Sequence, residues 1–513
     1  MTRETLETGL AVMPVVIPLG AAALASIGRR WPALQRGIME AAVGLTLLAT
    51  VLLLMRTARG EIVVVAFGGW GAPFGITFVA DVLSSVLTVA ASVVGVAVAL
   101  FARADIRARR RRAGFDSLFL GMLAAVNGAF LTGDIFNLYV WFELMLVTAI
   151  GLVTLDRRPA QIDGATRYAA MSMMGATFIL VGIGLLYGEA GTLDIAQLSV
   201  TLAGHSTSTT LIVAAYLLLA GLVLKAGLFP LFFWLPSSYH TAPTSVSAAL
   251  AGLLTKAAFY ACLRIVVVVF GLGTRAVVPG IPLLLSLLAI ATMLVSVLAA
   301  VAQVDARRLL AFHVMGQVAY LVMGLALASA LGTAAAIFYM VHTMLVQTGL
   351  FLGAGAIARA GRGYDLHGSG GLMRRNPLFS GVFAMLALSI SGVPPFSGFW
   401  AKALVIDAAF RAGGLWPTVL AVVALMAGFL TLYSMSTLWS RAFWRPRRRV
   451  GETPRGIPPA MIASVALLAA CTLGLGLGVG PAVKLSRAAV DQLFVATRQN
   501  GAVSDGVTRP TPR

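Results

Sequence analysis

The stretch "AGLVLKAGLFPLFFWLPSSYH" occupies residues 220–240. It is apolar enough to lie in a bilayer core, yet it contains a cation, Lys225, and two prolines, Pro230 and Pro236. Proline inside a helix removes a backbone hydrogen bond and kinks the chain. A charge at the bilayer centre costs at least a few kcal/mol. Such a segment survives in a membrane only where protein or water satisfies the freed carbonyls. It therefore reads as a discontinuous helix beside a polar pathway.

The rest of the chain supports that setting. Of its 513 residues 59% are hydrophobic and 11% charged, whereas soluble domains carry about a quarter charged residues. Apolar runs of roughly 20 residues, enough to span a bilayer, recur along nearly all of it. Backbone groups in lipid must bond within their own helix, so the expected class is an all-α polytopic membrane protein. About fourteen spans are expected, near 8–27, 37–56, 75–101, 115–132, 133–155, 166–187, 211–235, 244–270, 278–302, 308–329, 332–358, 377–409, 415–438 and 458–480. Cys262 and Cys471 lie inside apolar runs and suggest neither a disulfide nor a metal site. The amino terminus has no basic n-region or cleavage site, so no signal peptide is expected.

A net charge of +19 would suit nucleic acid, but the arginines sit in short loops, as the positive-inside rule requires. No nucleic-acid partner is expected. The loops after spans 1, 3, 5, 9, 11 and 13 hold 24 arginines, including Arg362, Arg447, Arg448 and Arg449; the opposite loops hold Arg56, Arg59, Arg275 and Arg411. This asymmetry places the first set in the cytoplasm and both termini outside. Lys484 and Arg487, after the last span, oppose it weakly.

A second stretch, "LALSISGVPPFSGFWAKALVI" at 386–406, repeats the device with Pro394, Pro395 and Lys402. Paired interruptions in two halves are the mark of inverted-repeat transporters. The expected organisation is 1–110 for helices 1–3, 111–270 for a first five-helix repeat (helices 4–8), 271–440 for a second, inverted one (helices 9–13), and 441–513 for helix 14 and a tail. Helices 7 and 12 are the broken ones.

Ionisable residues inside spans are few: Glu143, Lys225, Lys256, Lys402, His342 and, near the start of span 10, His313. Lysine is used inside the membrane and arginine in the loops, apart from Lys484 in the tail. Arginine stays protonated, whereas buried lysine changes its proton affinity readily. Glu143 and Lys225 suit an ion pair, and a lysine that alternates between paired and unpaired alternates in proton affinity. Blander readings compete: a satisfied core histidine for His342, water contact for His313, capping or an entrance for His240, a snorkelling Arg264, a helix-bonding Asp81 and an N-cap at Asp134. No Walker loop or cysteine cluster is present, and no cofactor or metal is expected. The segments "GEAGTLDIAQLS" and "GRGYDLHGSGG" read as connectors.

On "FNLYVWFELML" (136–146), the continuation of the opening stretch through "HTAPTSVSAALAGLLTKAAFYACLRI" (to 265), "DARRLLAFHVMGQVAYLVMGLAL" (305–327) and "DLHGSGGLMRRNPLFSGVFAMLALSISGVPPFSGFWAKALVI" (365–406), the chain resembles a known family. It is that of the antiporter-like subunits shared by respiratory complex I and Mrp-type multisubunit cation/proton antiporters, and the likeness covers roughly 110–440. "DIFNLYVWFELML" and "LPSSYHTAPTSVSA" look most like the D-type branch, as does the lack of a long lateral helix after the last span. The resemblance implies a proton relay through Glu143, Lys225, Lys256, His342 and Lys402, with His240, His313 and Gln347 as auxiliary positions. Gln347 stands where the family commonly has lysine. It further implies a subunit that moves protons in a sodium (or other monovalent cation)/proton antiporter of the cell membrane, bound to other hydrophobic subunits and not itself an enzyme. The alternative is a non-redox proton-pumping subunit of a complex I-like NADH:quinone oxidoreductase or membrane-bound hydrogenase. No carboxylate cluster suggests a Na+ site in this chain. A purely structural scaffold would tolerate Met in place of the lysines.

Overall fold

The computed structural model describes residues 3–71, 73–203, 207–272, 277–361, 363–366, 370–446 and 455–505. The helices are α1 (Arg3–Ile27), α2 (Pro32–Thr57), α3 (Val82–Asp105), α4 (Ala108–Arg112), α5 (Phe115–Leu131), α6 (Ile135–Val153), α7 (Pro159–Ala190), α8 (Ile195–Ala203), α9 (Thr209–Ala226) and α10 (Trp234–Tyr239). They continue as α11 (Thr244–Arg264), α12 (Ile281–Val301), α13 (Ala306–Ala326), α14 (Ala330–Gly361), α15 (Leu372–Arg375), α16 (Pro377–Ser391), α17 (Ser397–Ala412), α18 (Leu415–Trp439), α19 (Pro459–Leu477) and α20 (Val479–Asp505). Among the described residues, 12 helices are long and apolar enough to cross a membrane, and the shorter apolar helices α5 and α16 fall where spans 4 and 12 are expected. The chain is a multi-pass helical membrane protein. Arg275, Arg362, Arg447, Arg448 and Arg449 lie outside the described residues.

Every residue of α11 and of the π-helical turn Ile265–Val269 that extends it is buried. With α13 and α14 this helix forms the axis. The flanking helices keep apolar faces outward: Leu48, Val181, Leu298 and Phe429 are exposed. Exposed apolar faces are the expected outcome where lipid is the solvent.

Two backbone clasps reveal an internal repeat. At one end of the bundle Ile135 N–H donates to the Leu193 carbonyl at 3.0 Å and Ile195 N–H to the Gly133 carbonyl at 2.8 Å, which bridges Asp134 to Asp194. In the second half Ala306 N–H donates to Tyr364 and Leu366 N–H to Val304, both at 3.0 Å, which bridges Asp305 to Asp365. The four positions keep the same spacing in each half. Asp134 caps α6 through Asn137 N–H at 2.6 Å, as expected for an N-cap. Asp305 caps α13 the same way, through Arg307 and Arg308 N–H. α9 and α16 both end at a glycine with positive φ, Gly227 (φ 74) and Gly392 (φ 88), a conformation only glycine takes without strain. α18, like α11, runs into a π-helical turn, Ser440–Trp444. Asp194 and Asp365, one in each connector of the sequence reading, are therefore the outer partners of the clasps.

The structure corrects several expectations. Span 3 does not begin at residue 75: β1 (Val63–Ala66) and β2 (Thr77–Ala80) form an antiparallel hairpin first, and the helix starts at Val82. Asp81 and Ser84 make a capping box at that start. Arg264 does not snorkel. It is buried, with Nη2 2.5 Å from Asp81 Oδ2, Nε donating to the Tyr260 hydroxyl at 2.9 Å, and that hydroxyl donating to the Phe130 carbonyl at 2.6 Å. The Asp81 carboxylate reaches it because the cap fixes it at the depth where α11 ends. Residues 482–505 are not a tail: they belong to α20, a 27-residue helix, so a long helix does follow the last span. It packs on α3, α8 and α14, and Gln492 Oε1 accepts from Val82 N–H at 2.9 Å.

The arginine-rich end is tied by charge. Arg110 pairs with Asp156 at 2.6 Å, and the hydrogen bond from Arg110 holds the Asp156 carboxyl below its usual range. Arg111 pairs with the fully buried Asp116. Asp105 Oδ2 accepts from Ser245 N–H and hydroxyl at 3.0 and 2.8 Å, which fixes the first turn of α11. Arg307 lies 3.5 Å from the centre of the Tyr364 ring, and that hydroxyl meets Thr244 Oγ1 at 2.7 Å.

Breaking a buried pair by removing one partner costs about 3–5 kcal/mol, and losing an N-cap about 1 kcal/mol more. Asp81→Ala is expected to lower the thermal unfolding temperature in detergent sharply. The double variant Asp81→Leu with Arg264→Met, which leaves no buried charge unpaired, is expected to recover most of the loss.

Candidate functional site

Lys225 stands in the last turn of α9, where the unbonded carbonyls of a helix end favour a cation. Its side chain is 7% exposed and its Nζ lies 3.9 Å from Glu143 Oε1 of α6. The same Nζ donates to Ser172 Oγ of α7 at 3.3 Å and sits 5.3 Å from the centre of the Phe142 ring. A cavity of about 20 Å³, the volume of one water molecule, adjoins it, lined by Tyr168, Ser172, Trp234 and Leu254 among others. Glu143 is one-third exposed at the outer face of the first half, and its Oε1 has no hydrogen-bond partner among the described residues.

The break that follows holds Pro230 but not Pro236. Residues 227–233 are non-helical, whereas Pro236 lies in the first turn of α10, where a missing N–H is harmless. His240 closes this segment: its Nδ1 meets the Pro236 carbonyl at 2.7 Å. Burial, and then the nearby Arg308 and Arg307, hold its imidazole below the ordinary histidine value against the pull of the Pro236 carbonyl.

Lys256, on α11, is fully buried. Its Nζ donates to the Ala251 carbonyl at 2.6 Å and to Gln347 Oε1 of α14. Gln347 Nε2 in turn donates to the His313 carbonyl at 3.4 Å. An amide must put its NH2 toward a carbonyl and its oxygen toward an ammonium, so this geometry leaves one orientation. His313 is buried in the second turn of α13, away from the water contact weighed as its competing reading, and its Nε2 lies 3.0 Å from Ser434 Oγ of α18. Gln347 thus joins the two halves where a second ammonium would be repelled.

In the second half His342 Nδ1 lies 2.8 Å from Ser397 Oγ. Its ring stands edge-on to Tyr339 at 5.7 Å, and Tyr339 stacks on Tyr320 at 5.2 Å. Tyr339 donates to Gln317 Oε1 at 2.6 Å. Lys402 Nζ is 5.6 Å from the Tyr320 ring centre and donates to the Ser391 carbonyl at 3.1 Å. Lys402 therefore rests on the carbonyl end of the broken helix α16, whereas Lys225, although it stands in the last turn of α9, is held by Ser172 and Glu143. Gly392 leaves room for Lys402: a Cβ there would lie 2.9 Å from Lys402 Cδ. A cavity of about 330 Å³ opens beside Lys402, bounded by Gly392, Val393, Phe399, Gly428 and Phe429 among others. Pro394 and Pro395 both lie in the break between α16 and α17.

The structure brings Glu143 to Lys225, Lys256 to Gln347 and His313, and His342 to the aromatic ladder that ends at Lys402. The sequence reading missed Ser172, Tyr320, Tyr339, Gln317 and Ser397. A tyrosine in an apolar span needs a hydrogen-bond partner when buried, which was the one available signal for Tyr320 and Tyr339.

A family profile described as "NADH:quinone oxidoreductase/Mrp antiporter, TM" matches residues 132–431. Over 95% of its length the chain is 36% identical to the protein of Alkalihalophilus pseudofirmus named as the D component of a Na+/H+ antiporter, of which it covers 98%. Among solved structures, a chain of the Mrp complex from a Dietzia species superposes with a TM-score of 0.88 at 32% identity, covering 97% of this chain and 99% of that one. A chain of an archaeal membrane-bound sulfane sulfur reductase superposes with a TM-score of 0.87 at 26% identity, covering 96% and 99%.

Removing one partner of a buried hydrogen bond costs about 1–3 kcal/mol. Gln347→Leu is expected to lower stability by that amount. Lys256→Met in the same chain is expected to add less than its own single effect, because the two side chains are directly bonded. A double-mutant cycle on unfolding temperature in detergent measures the coupling; strict additivity would show that the contact carries no energy.

Proposed function

Because the chain belongs to the NADH:quinone oxidoreductase/Mrp antiporter transmembrane family, we propose that it is the proton-translocating membrane subunit of a multisubunit Na+/H+ antiporter. The observation that carries this reading is the set of three membrane-buried lysines, of which only Lys225 has a carboxylate, Glu143, within ion-pair distance among the described residues. Intramembrane charges this costly mark ion pathways.

In the proposed relay, protons reach Lys225 from the side of the first break, near His240. Closing of the Glu143–Lys225 pair keeps the proton on the ammonium. Opening of the pair withdraws the stabilising charge and sends the proton inward to Lys256. Gln347 carries no net proton, so passage to the second half runs past it to His342, and then to Lys402 and the cavity beside the second break. The chain performs no covalent chemistry in this scheme and is a transporter subunit rather than an enzyme. The surface apolar faces suit lipid and other hydrophobic subunits, such as those of the Mrp complex that the fold matches. The arginine asymmetry puts the clasp at Asp305 and Asp365 in the cytoplasm and both termini outside the cell membrane. Na+ is proposed to pass through a partner subunit; among the described residues no three or more carboxylates, cysteines and histidines come together as a metal site.

A second reading rests on the likeness to the sulfane sulfur reductase chain: the same fold serving a redox-driven complex, as a complex I-like or hydrogenase-linked pump. Co-purification separates the two. Flavin and iron–sulfur proteins in the isolated complex support the redox reading, and small hydrophobic subunits alone support the antiporter.

Glu143→Ala, Lys225→Ala and Lys402→Ala are each expected to abolish Na+-dependent proton movement in everted vesicles of an antiporter-deficient host, with the complex still assembled. Near-normal antiport in an assembled Lys225→Ala complex would refute the relay.

A further inference from the structure

The helix α19 lies outside both five-helix units, yet it reaches into the second break. A Cβ on Gly476 would meet the Pro395 carbonyl oxygen at 2.0 Å, so the two backbones touch. One turn earlier Thr472 is fully buried, as are Ser389 and Ser397. The Thr472 hydroxyl lies 2.5 Å from Ser397 Oγ and 2.6 Å from Ser389 Oγ. Ser397 Oγ is the group that meets His342 Nδ1. The other ring nitrogen, Nε2, is buried with no hydrogen-bond partner among the described residues. A chain of three hydroxyls therefore ends on one nitrogen of His342, and its middle member comes from beyond residue 431, where the family match stops.

We infer that Thr472 is a positioning residue that sets which nitrogen of His342 carries the proton. The inference rests on the relay reading above, in which His342 passes protons. Which nitrogen of a neutral imidazole is protonated is decided by the hydrogen bond its other nitrogen makes. A hydroxyl both donates and accepts. When the Ser397 O–H points to Thr472, its oxygen is free to accept Nδ1–H, and Nε2 has a lone pair for an incoming proton. Uptake at Nε2 then gives the imidazolium, and loss of the same proton restores the starting ring; no other bond changes. When the Ser397 O–H instead points to Nδ1, the ring is held as the Nε2–H tautomer and Nε2 cannot accept. Thr472 supplies the acceptor that keeps the first arrangement open. The titratable groups acting on this ring are Lys402 from α17, Lys256 from α11 and Tyr339 from its own helix, and none of them bonds Nδ1.

Thr472→Val keeps the shape and removes the hydroxyl, so the Ser397 O–H is left to donate to Nδ1. Solid-state NMR of the whole complex with 15N-labelled histidine reads the tautomer directly. His342→Gln identifies its signal among the 5 histidines of the chain. The wild type is expected to show protonated Nδ1, Thr472→Val to show protonated Nε2 only, and Thr472→Ser to match the wild type. Antiport in vesicles is expected to fall roughly tenfold in Thr472→Val, the scale of losing an orienting bond behind a functional histidine, and to return in Thr472→Ser. If Thr472→Val does not assemble, Ser389→Ala frees Thr472 to donate to Ser397 and is expected to fix the same Nε2–H tautomer. An unchanged His342 signal in the assembled variant would overturn the inference. Absence of antiport in the wild-type complex would overturn the functional reading and leave the tautomer result standing.

Discussion

An ammonium group in hydrocarbon must find oxygen, and in this chain Lys402 finds it where a helix has been cut, whereas Lys225 finds it on Ser172 and Glu143 beside a helix end. α9 ends one residue after Lys225, and α16 ends at the carbonyl that Lys402 uses. An intact helix spends its carbonyls on its own amides; a cut one leaves several unspent. The glycine and prolines at 392–395 thus free the carbonyl on which Lys402 rests. Lys256 lies in an unbroken helix and meets the same demand differently, with the Ala251 carbonyl of its own helix and the side chain of Gln347.

The two halves share their frame and differ in their charges. The clasps at Asp134 and Asp305, the glycine ends and the π-helical turns recur in both. The counter-ion does not: the first half pairs its lysine with Glu143, whereas the second offers Lys402 a carbonyl and the face of Tyr320. Gln347 sits at the seam between the halves. It holds Lys256 on one side and the His313 backbone on the other, so the seam is hydrogen-bonded through a neutral group.

The large features were legible because membranes leave few alternatives. Apolar length fixed the class, and a lysine or glutamate in such a run stands out against its surroundings. Glu143, Lys225, Lys256, His342 and Lys402 were all visible this way, as was the pairing of the two interrupted helices. What stayed hidden has a different physical character. Serine and threonine in apolar helices commonly satisfy themselves on the carbonyl four residues back, so nothing in the sequence separates Ser397 from Ser380, which does that. Asp81 was read as bonding helices together, but Arg264 was not read as its partner because the pairing joins residues 81 and 264, far apart in the chain. The hairpin at residues 63–80 was read partly as membrane because four-residue strands are too short to show a clear alternation. Pro236 was read as a break because its place in a first turn cannot be known before the helix start is.

The C-terminal segment gives the bundle a property that no single contact does. α19 presses its Gly476 backbone against the second break, and α20 continues from it to Gln492, which holds the first amide of α3 beside the Asp81–Arg264 pair at the end of α11. One continuous stretch of chain therefore works as a tie-rod anchored at the second break and at the end of α11. Tension in it would be felt at Lys402 and at the end of the helix that carries Lys256 together.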